Sequence, residues 1–86
     1  MPRLSYFYGI SVYLYSRDHN PPHIHAIYAG EEVIVEIQDM SVIKGTVPPR
    51  AMRMLRTWME LHRQELLGAW ASASEGQVVG TIEPLP

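Results

Sequence analysis

The sequence predicts an α+β domain: an antiparallel sheet of three to four strands packed against one long C-terminal helix. Three observations carry this. Apolar residues recur at every second position before Pro48 and with the helical period of about 3.6 after it. The connections between the alternating segments are short, which makes consecutive strands antiparallel neighbours. The chain has 86 residues, 47% hydrophobic and 19% charged, which suits one folded domain over 1–86 and leaves no room for a second.

The strands fall within about residues 9–45. Ile10, Val12 and Leu14 alternate with Ser11, Tyr13 and Tyr15, so 9–16 reads as a strand with one apolar face. Asp18, Asn20, Pro21 and Pro22 stop it in a turn. A second strand covers 23–29, followed by a tight turn at Ala29-Gly30-Glu31, where Glu31 and Glu32 read as solvated turn residues. Val33, Val35 and Ile37 alternate with Glu32, Ile34 and Glu36 in a third. After a turn at 38–41, Val42 and Ile43 start a short fourth.

Pro48-Pro49 suits a helix start, because proline gives up no useful hydrogen bond in the first turn. Thr46 is a candidate cap. The helix is expected over about 49–74, with Gly76 as its stop. At 100° per residue, Ala51, Leu55, Trp58, Met59, His62, Leu66, Ala69, Trp70 and Ala73 share one face. Gly68 interrupts the helix, and a bend or a close helix–sheet approach would account for it. The tail, 77–86, is expected to add an edge strand around 79–82. One helix covers one sheet face, so the other is solvated or covered by another chain, with Tyr13 and Tyr15 on it.

Composition removes whole classes of function. The absence of cysteine excludes a disulfide scaffold, a thiolate zinc site and a cysteine nucleophile. A net charge of -2 gives no bulk attraction to nucleic acid or a membrane surface. The N-terminus lacks the apolar core of a signal peptide, and no apolar run nears the roughly 18 residues of a spanning helix. A soluble, cytoplasmic protein without a membrane partner is the expectation.

What composition leaves unexplained is histidine. Three of the four lie within seven residues, in the run Arg17-Asp18-His19-Asn20-Pro21-Pro22-His23-Ile24-His25. Positions i and i+2 of a strand share a face, so His23 and His25 lie side by side. Neutral imidazoles so placed can share a divalent metal ion, with His19 or Asp18 as a third ligand. They can equally do acid–base work without metal, or serve structure by bonding to backbone or to the tyrosines. Arg17 and Asp18 in the turn, and Tyr13 and Tyr15 on the open face, are candidate binding residues.

His62 falls on the apolar helix face between Trp58 and Leu66. If His23, His25 and Ile27 face the helix, His62 joins them in a site. If Ile24, Ala26 and Tyr28 do, the pair lies on the open face with Tyr13 and Tyr15. Arg50, Arg53, Arg56 and Arg63 read as a solvated helix face, braced by Arg56–Glu60, more readily than as a phosphate-contacting stripe.

Tyr6-Phe7-Tyr8-Gly9-Ile10, the run Arg17 to Ala26, and the helix residues Trp58, Glu60-Leu61-His62, Glu65-Leu66 and Trp70 together form a recognisable pattern. Ile82-Glu83-Pro84-Leu85 extends it. Over nearly its whole length the chain resembles the bacterial family of domain of unknown function 4160. The resemblance implies small bacterial proteins whose genes often lie beside another small domain, an arrangement like that of toxin–antitoxin pairs. It directs attention to Asp18, His19, His23, His25 and His62. Ile27 departs from the pattern, standing where many relatives carry an acid.

Cluster and resemblance together give the leading expectation. The protein is one half of a toxin–antitoxin-like module, directed at RNA through His23 and His25 as catalytic or metal-binding residues, with His62 in support. Its partner is a small protein or a second copy. The alternative is a non-enzymatic binding module, an antitoxin or regulatory partner, in which the histidines are structural.

Overall fold

The computed structural model describes residues 3–86, so Met1 and Pro2, the start of the expected domain, lie outside the described residues. Its elements are β1 (Arg3–Phe7), β2 (Ile10–Tyr13), β3 (His23–Tyr28), β4 (Glu31–Glu36), β5 (Val42–Gly45), α1 (Pro49–Leu61) and α2 (Arg63–Ser74). The strands form one antiparallel sheet in chain order.

Two hairpins set this order. Tyr8 and Gly9 join β1 to β2 with φ of 49° and 82°, and Ala29 and Gly30 join β3 to β4 with φ of 51° and 83°. Two-residue loops with both φ values positive match the twist of the flanking strands. The β2–β3 connection is much longer, contains a cis Asn20–Pro21 bond, and carries most of the histidine run.

Alternation decides the faces. Ile10, Val12, Leu14, Ile24, Ala26, Val33, Val35 and Ile37 point into the core, and Ala51, Leu55, Trp58, Met59, Leu66 and Trp70 meet them from the helices. By alternation His25 and Ile27 lie on the other face of β3, while His23, the first residue of the strand, packs on Trp70 of α2.

The α+β class stands, with corrections. There are five strands, not three to four. The expected first strand is β2, and a further strand, β1, precedes it. A register shift between Arg3 and Ser5 buries both Leu4 and Ser5, which breaks the period-two signal and hides β1 from a pattern search. Glu31, read as a turn residue, belongs to β4, and Glu32 lies in that strand, as the alternation has it, and not in the turn.

The single helix is also two helices, broken at His62, whose φ and ψ are -118° and 24°. Trp58 and Trp70 point about 120° apart on a straight helix. Both are buried, at 0% and 7% exposure, one on each side of the break. Gly68 has no part in the bend. It sits inside α2, and a Cβ there would meet nothing within 4 Å, so no close approach explains it either.

Pro49 opens α1 as expected, but Pro48 takes the cap position and no side chain caps it. The Thr46 hydroxyl instead approaches the Val47 carbonyl at 3.4 Å. The Arg56–Glu60 brace is replaced: Arg63 pairs with Glu60 at 3.3 Å, and Arg56 Nε donates to the Met40 carbonyl.

Finally, 79–82 is not a strand. The tail is held at single points: the Ile82 N–H to the Leu4 carbonyl at 2.7 Å, Trp58 Nε1–H to the Glu83 carbonyl at 2.8 Å, and the Tyr8 hydroxyl to the Pro86 carbonyl at 2.8 Å. Among the described residues no helix is long and apolar enough to cross a membrane.

Candidate functional site

The site is built by the β2–β3 connection folding back over the start of β3. Arg17 takes a positive φ of 59° and donates its backbone N–H to the Ala73 carbonyl of α2 at 3.1 Å. The Pro22 carbonyl accepts from the Ile37 N–H at 2.9 Å. These anchors, one on a helix and one just beyond β4, hold the segment that carries Asp18 against His23 and His25.

Asp18 divides its two oxygens. Oδ1 accepts the His19 backbone N–H at 2.8 Å. Oδ2 lies 2.9 Å from His23 Nε2 and 3.3 Å from His25 Nε2. The far nitrogen of each ring is also committed. His23 Nδ1 is 2.7 Å from the Pro21 carbonyl oxygen, and His25 Nδ1 is 3.2 Å from Glu32 Oε2. A carbonyl only accepts, so Nδ1 of His23 carries a hydrogen and donates it. A neutral His23 then turns a lone pair on Nε2 toward a carboxylate oxygen.

Ionised Asp18 is the consistent state. Burial works to raise its pKa, but the His19 N–H and the hydrogen bonds from His25 and His23 outweigh burial and hold it below its ordinary value. Three potential ligand atoms thus converge, all within 4.8 Å of one another, and when each ring carries its single hydrogen on Nδ1 the three lone pairs call for positive charge between them. Protons on both rings would supply it. Two imidazolium rings with centroids 5.1 Å apart then repel by about 3 kcal/mol at an effective dielectric constant near 20.

Aromatic rings wall the cluster. The Tyr15 ring meets His25 edge-on at 4.3 Å, and Trp70 of α2 packs on His23 at 5.0 Å. Tyr13 sits directly opposite His25 across the β2–β3 ladder. Burial first, and then the charges of Glu32, Tyr13 and Asp18, push the Tyr15 hydroxyl up, so it remains a neutral phenol. The histidine side chains are 10% and 12% exposed and Asp18 is 22% exposed, which leaves a solvent-facing side.

Several expected residues lie elsewhere. His62 joins α1 to α2, pairs through Nδ1 with Glu65 at 2.6 Å and packs on Trp58 at 5.5 Å, and it does not belong to the converging group. His19 contributes its backbone to Asp18, and its exposed ring is not part of the group either. The Arg17 guanidinium lies over Gly76. Two surface hollows, of about 260 Å³ between α2 and the tail and about 240 Å³ between the tail, the end of α2 and Leu14 and Ser16, do not include the cluster.

Glu32 is the contributor that sequence reasoning missed. It pairs with Ile27 across the β3–β4 ladder, on the face of His25. The available signal was the hairpin: a two-residue turn at Ala29-Gly30 puts Glu32 opposite Ile27, one diagonal step from His25.

The chain matches the family described as Domain of unknown function (DUF4160) over residues 9–71, and it belongs to that family. None of the curated proteins and none of the solved structures compared with it matches.

Proposed function

We propose that this domain acts through the Asp18–His23–His25 cluster as the active half of a two-protein, toxin–antitoxin-like module, with RNA as its substrate. The supporting observation is the convergence of two imidazole Nε2 atoms on one carboxylate oxygen beside an open face. RNA carries its own nucleophile, the 2′-hydroxyl. A base and a source of positive charge at one point are therefore enough to cleave it. The toxin–antitoxin role rests on the gene arrangement that the family resemblance implies.

The test is RNA cleavage by the purified chain, alone and with the neighbouring gene product, beside His25→Ala. Cleavage lost in the variant supports the reading. An intact protein that cleaves no RNA in either setting sinks it.

A second reading has its own support. All four ring nitrogens of His23 and His25 already have protein partners, and Tyr13 and Tyr15 flank them on the open face. In that reading the face docks a small partner protein or a second copy, and the histidines rigidify it. Tyr15→Ala then weakens complex formation while His25→Ala preserves it.

A further inference from the structure

We infer that Asp18, His23 and His25 form a centre for one divalent first-row transition-metal ion, held by Asp18 Oδ2 and the two Nε2 atoms. The inference rests on the proposed site and supplies the positive charge that site needs. It replaces His19, expected from sequence as a ligand, with Asp18.

Three features favour a cation over two added protons. Both histidines offer the same atom, Nε2, to the same point. Both Nδ1 atoms are turned outward to acceptors, the Pro21 carbonyl and Glu32. That is how metal-ligating imidazoles are oriented: an outer carbonyl or carboxylate takes the Nδ1 hydrogen and leaves Nε2 as the donor atom. Finally, both spacings from the carboxylate fit, and the two Nε2 atoms lie within 4.8 Å of each other. Bonds of about 2.0–2.1 Å in a tetrahedral centre separate ligand atoms by about 3.3 Å. The Asp18–His25 distance is 3.3 Å and the Asp18–His23 distance 2.9 Å.

Two imidazoles and one carboxylate suit zinc, iron, cobalt or nickel, and not the hard ions magnesium and calcium, which take all-oxygen shells. Three protein ligands leave positions open on the solvent-facing side. An open position is the mark of a metal centre that does chemistry, since structural zinc sites are closed by four ligands. Glu32 is a positioning residue, acting through His25.

The experiment uses the chelator-treated full chain, titrated calorimetrically with zinc chloride, with cobalt chloride absorbance as a second probe. One equivalent is expected to bind, and excess magnesium should not compete. His25→Ala should weaken binding at least 100-fold, and Glu32→Gln by about 10- to 100-fold. His19→Ala should change it less than twofold. Circular dichroism shows whether each variant is folded, and Glu32→Gln, at an exposed position, keeps the test open if His25→Ala does not fold. No binding by the folded wild-type chain overturns the inference, as does equal binding by folded His25→Ala or Glu32→Gln. RNA cleavage that survives chelation overturns it while leaving the proposed function standing. Stoichiometric, His25-dependent binding without any cleavage upholds the centre and counts against the RNA reading alone.

Discussion

Asp18→Asn should cost about 2 kcal/mol of stability at neutral pH in the metal-free chain, and the cost should vanish on acidification. The carboxylate accepts from the His19 N–H at 2.8 Å and faces His23 and His25 at 2.9 and 3.3 Å. In the metal-free chain the rings that donate Nε2–H to this carboxylate help the His19 N–H to hold its pKa down, and hydrogen bonds to a charged group contribute about 1.5–3 kcal/mol each. An asparagine amide keeps its bond from His19 but turns a neutral group toward the imidazoles. Partial exposure screens the loss, which leaves about 2 kcal/mol from two weakened contacts. Asp18 titrates below its ordinary value of 3.8, so its contribution is complete above that pH and disappears as pH falls through the lower folded value. Urea unfolding followed by the fluorescence of buried Trp58 and Trp70 measures the gap at pH 7 and again below pH 3.8. A variant as stable as wild type at pH 7, or a gap that widens in acid, would refute the reasoning.

Other positions test the fold. Gly68→Ala should raise stability by about 1 kcal/mol, because α2 gains helix propensity and the new Cβ meets nothing; a thermal melt that falls contradicts this. Gly45→Ala should lower stability by about 2 kcal/mol or more, since φ is +80° and the added Cβ would overlap the Glu32 carbonyl oxygen; urea midpoints measure it. It should also weaken zinc binding, because Glu32 positions His25. Trp58→Ala should cost about 3–5 kcal/mol by opening a cavity under β1 and freeing the tail at Glu83, read as a drop in urea midpoint and faster proteolysis of residues 77–86.

What sequence could show here was set by how far each signal is local. The inward faces of β2 and β4 were legible, because Ile10, Val12, Val33 and Val35 sit on unbroken alternation. Strand β1 was not, because its bulge puts two neighbouring residues inward. The buried helix residues were legible, but the break at His62 was not, because no proline or glycine marks it in the sequence. Alternation alone also left the side chosen by His23 open, since Ile24 and Ile27 make both faces of β3 partly apolar. The pairing of His23 and His25 followed from their spacing. Asp18 as the third member depends on how a nine-residue connection folds back, and Glu32 on a cross-strand register. His62 packs on Trp58 at the break between the helices, outside the group that His23 and His25 form with Asp18.

The state of the two imidazole rings tests the central claim most directly. Long-range ¹⁵N–¹H spectra of the chain resolve which ring nitrogen carries a hydrogen. With one equivalent of zinc, His23 and His25 should each keep the hydrogen on Nδ1, and both Nε2 resonances should move to the metal-bound position, while His19 and His62 stay unchanged. Rings that remain doubly protonated, or Nε2 signals indifferent to zinc, would contradict the account.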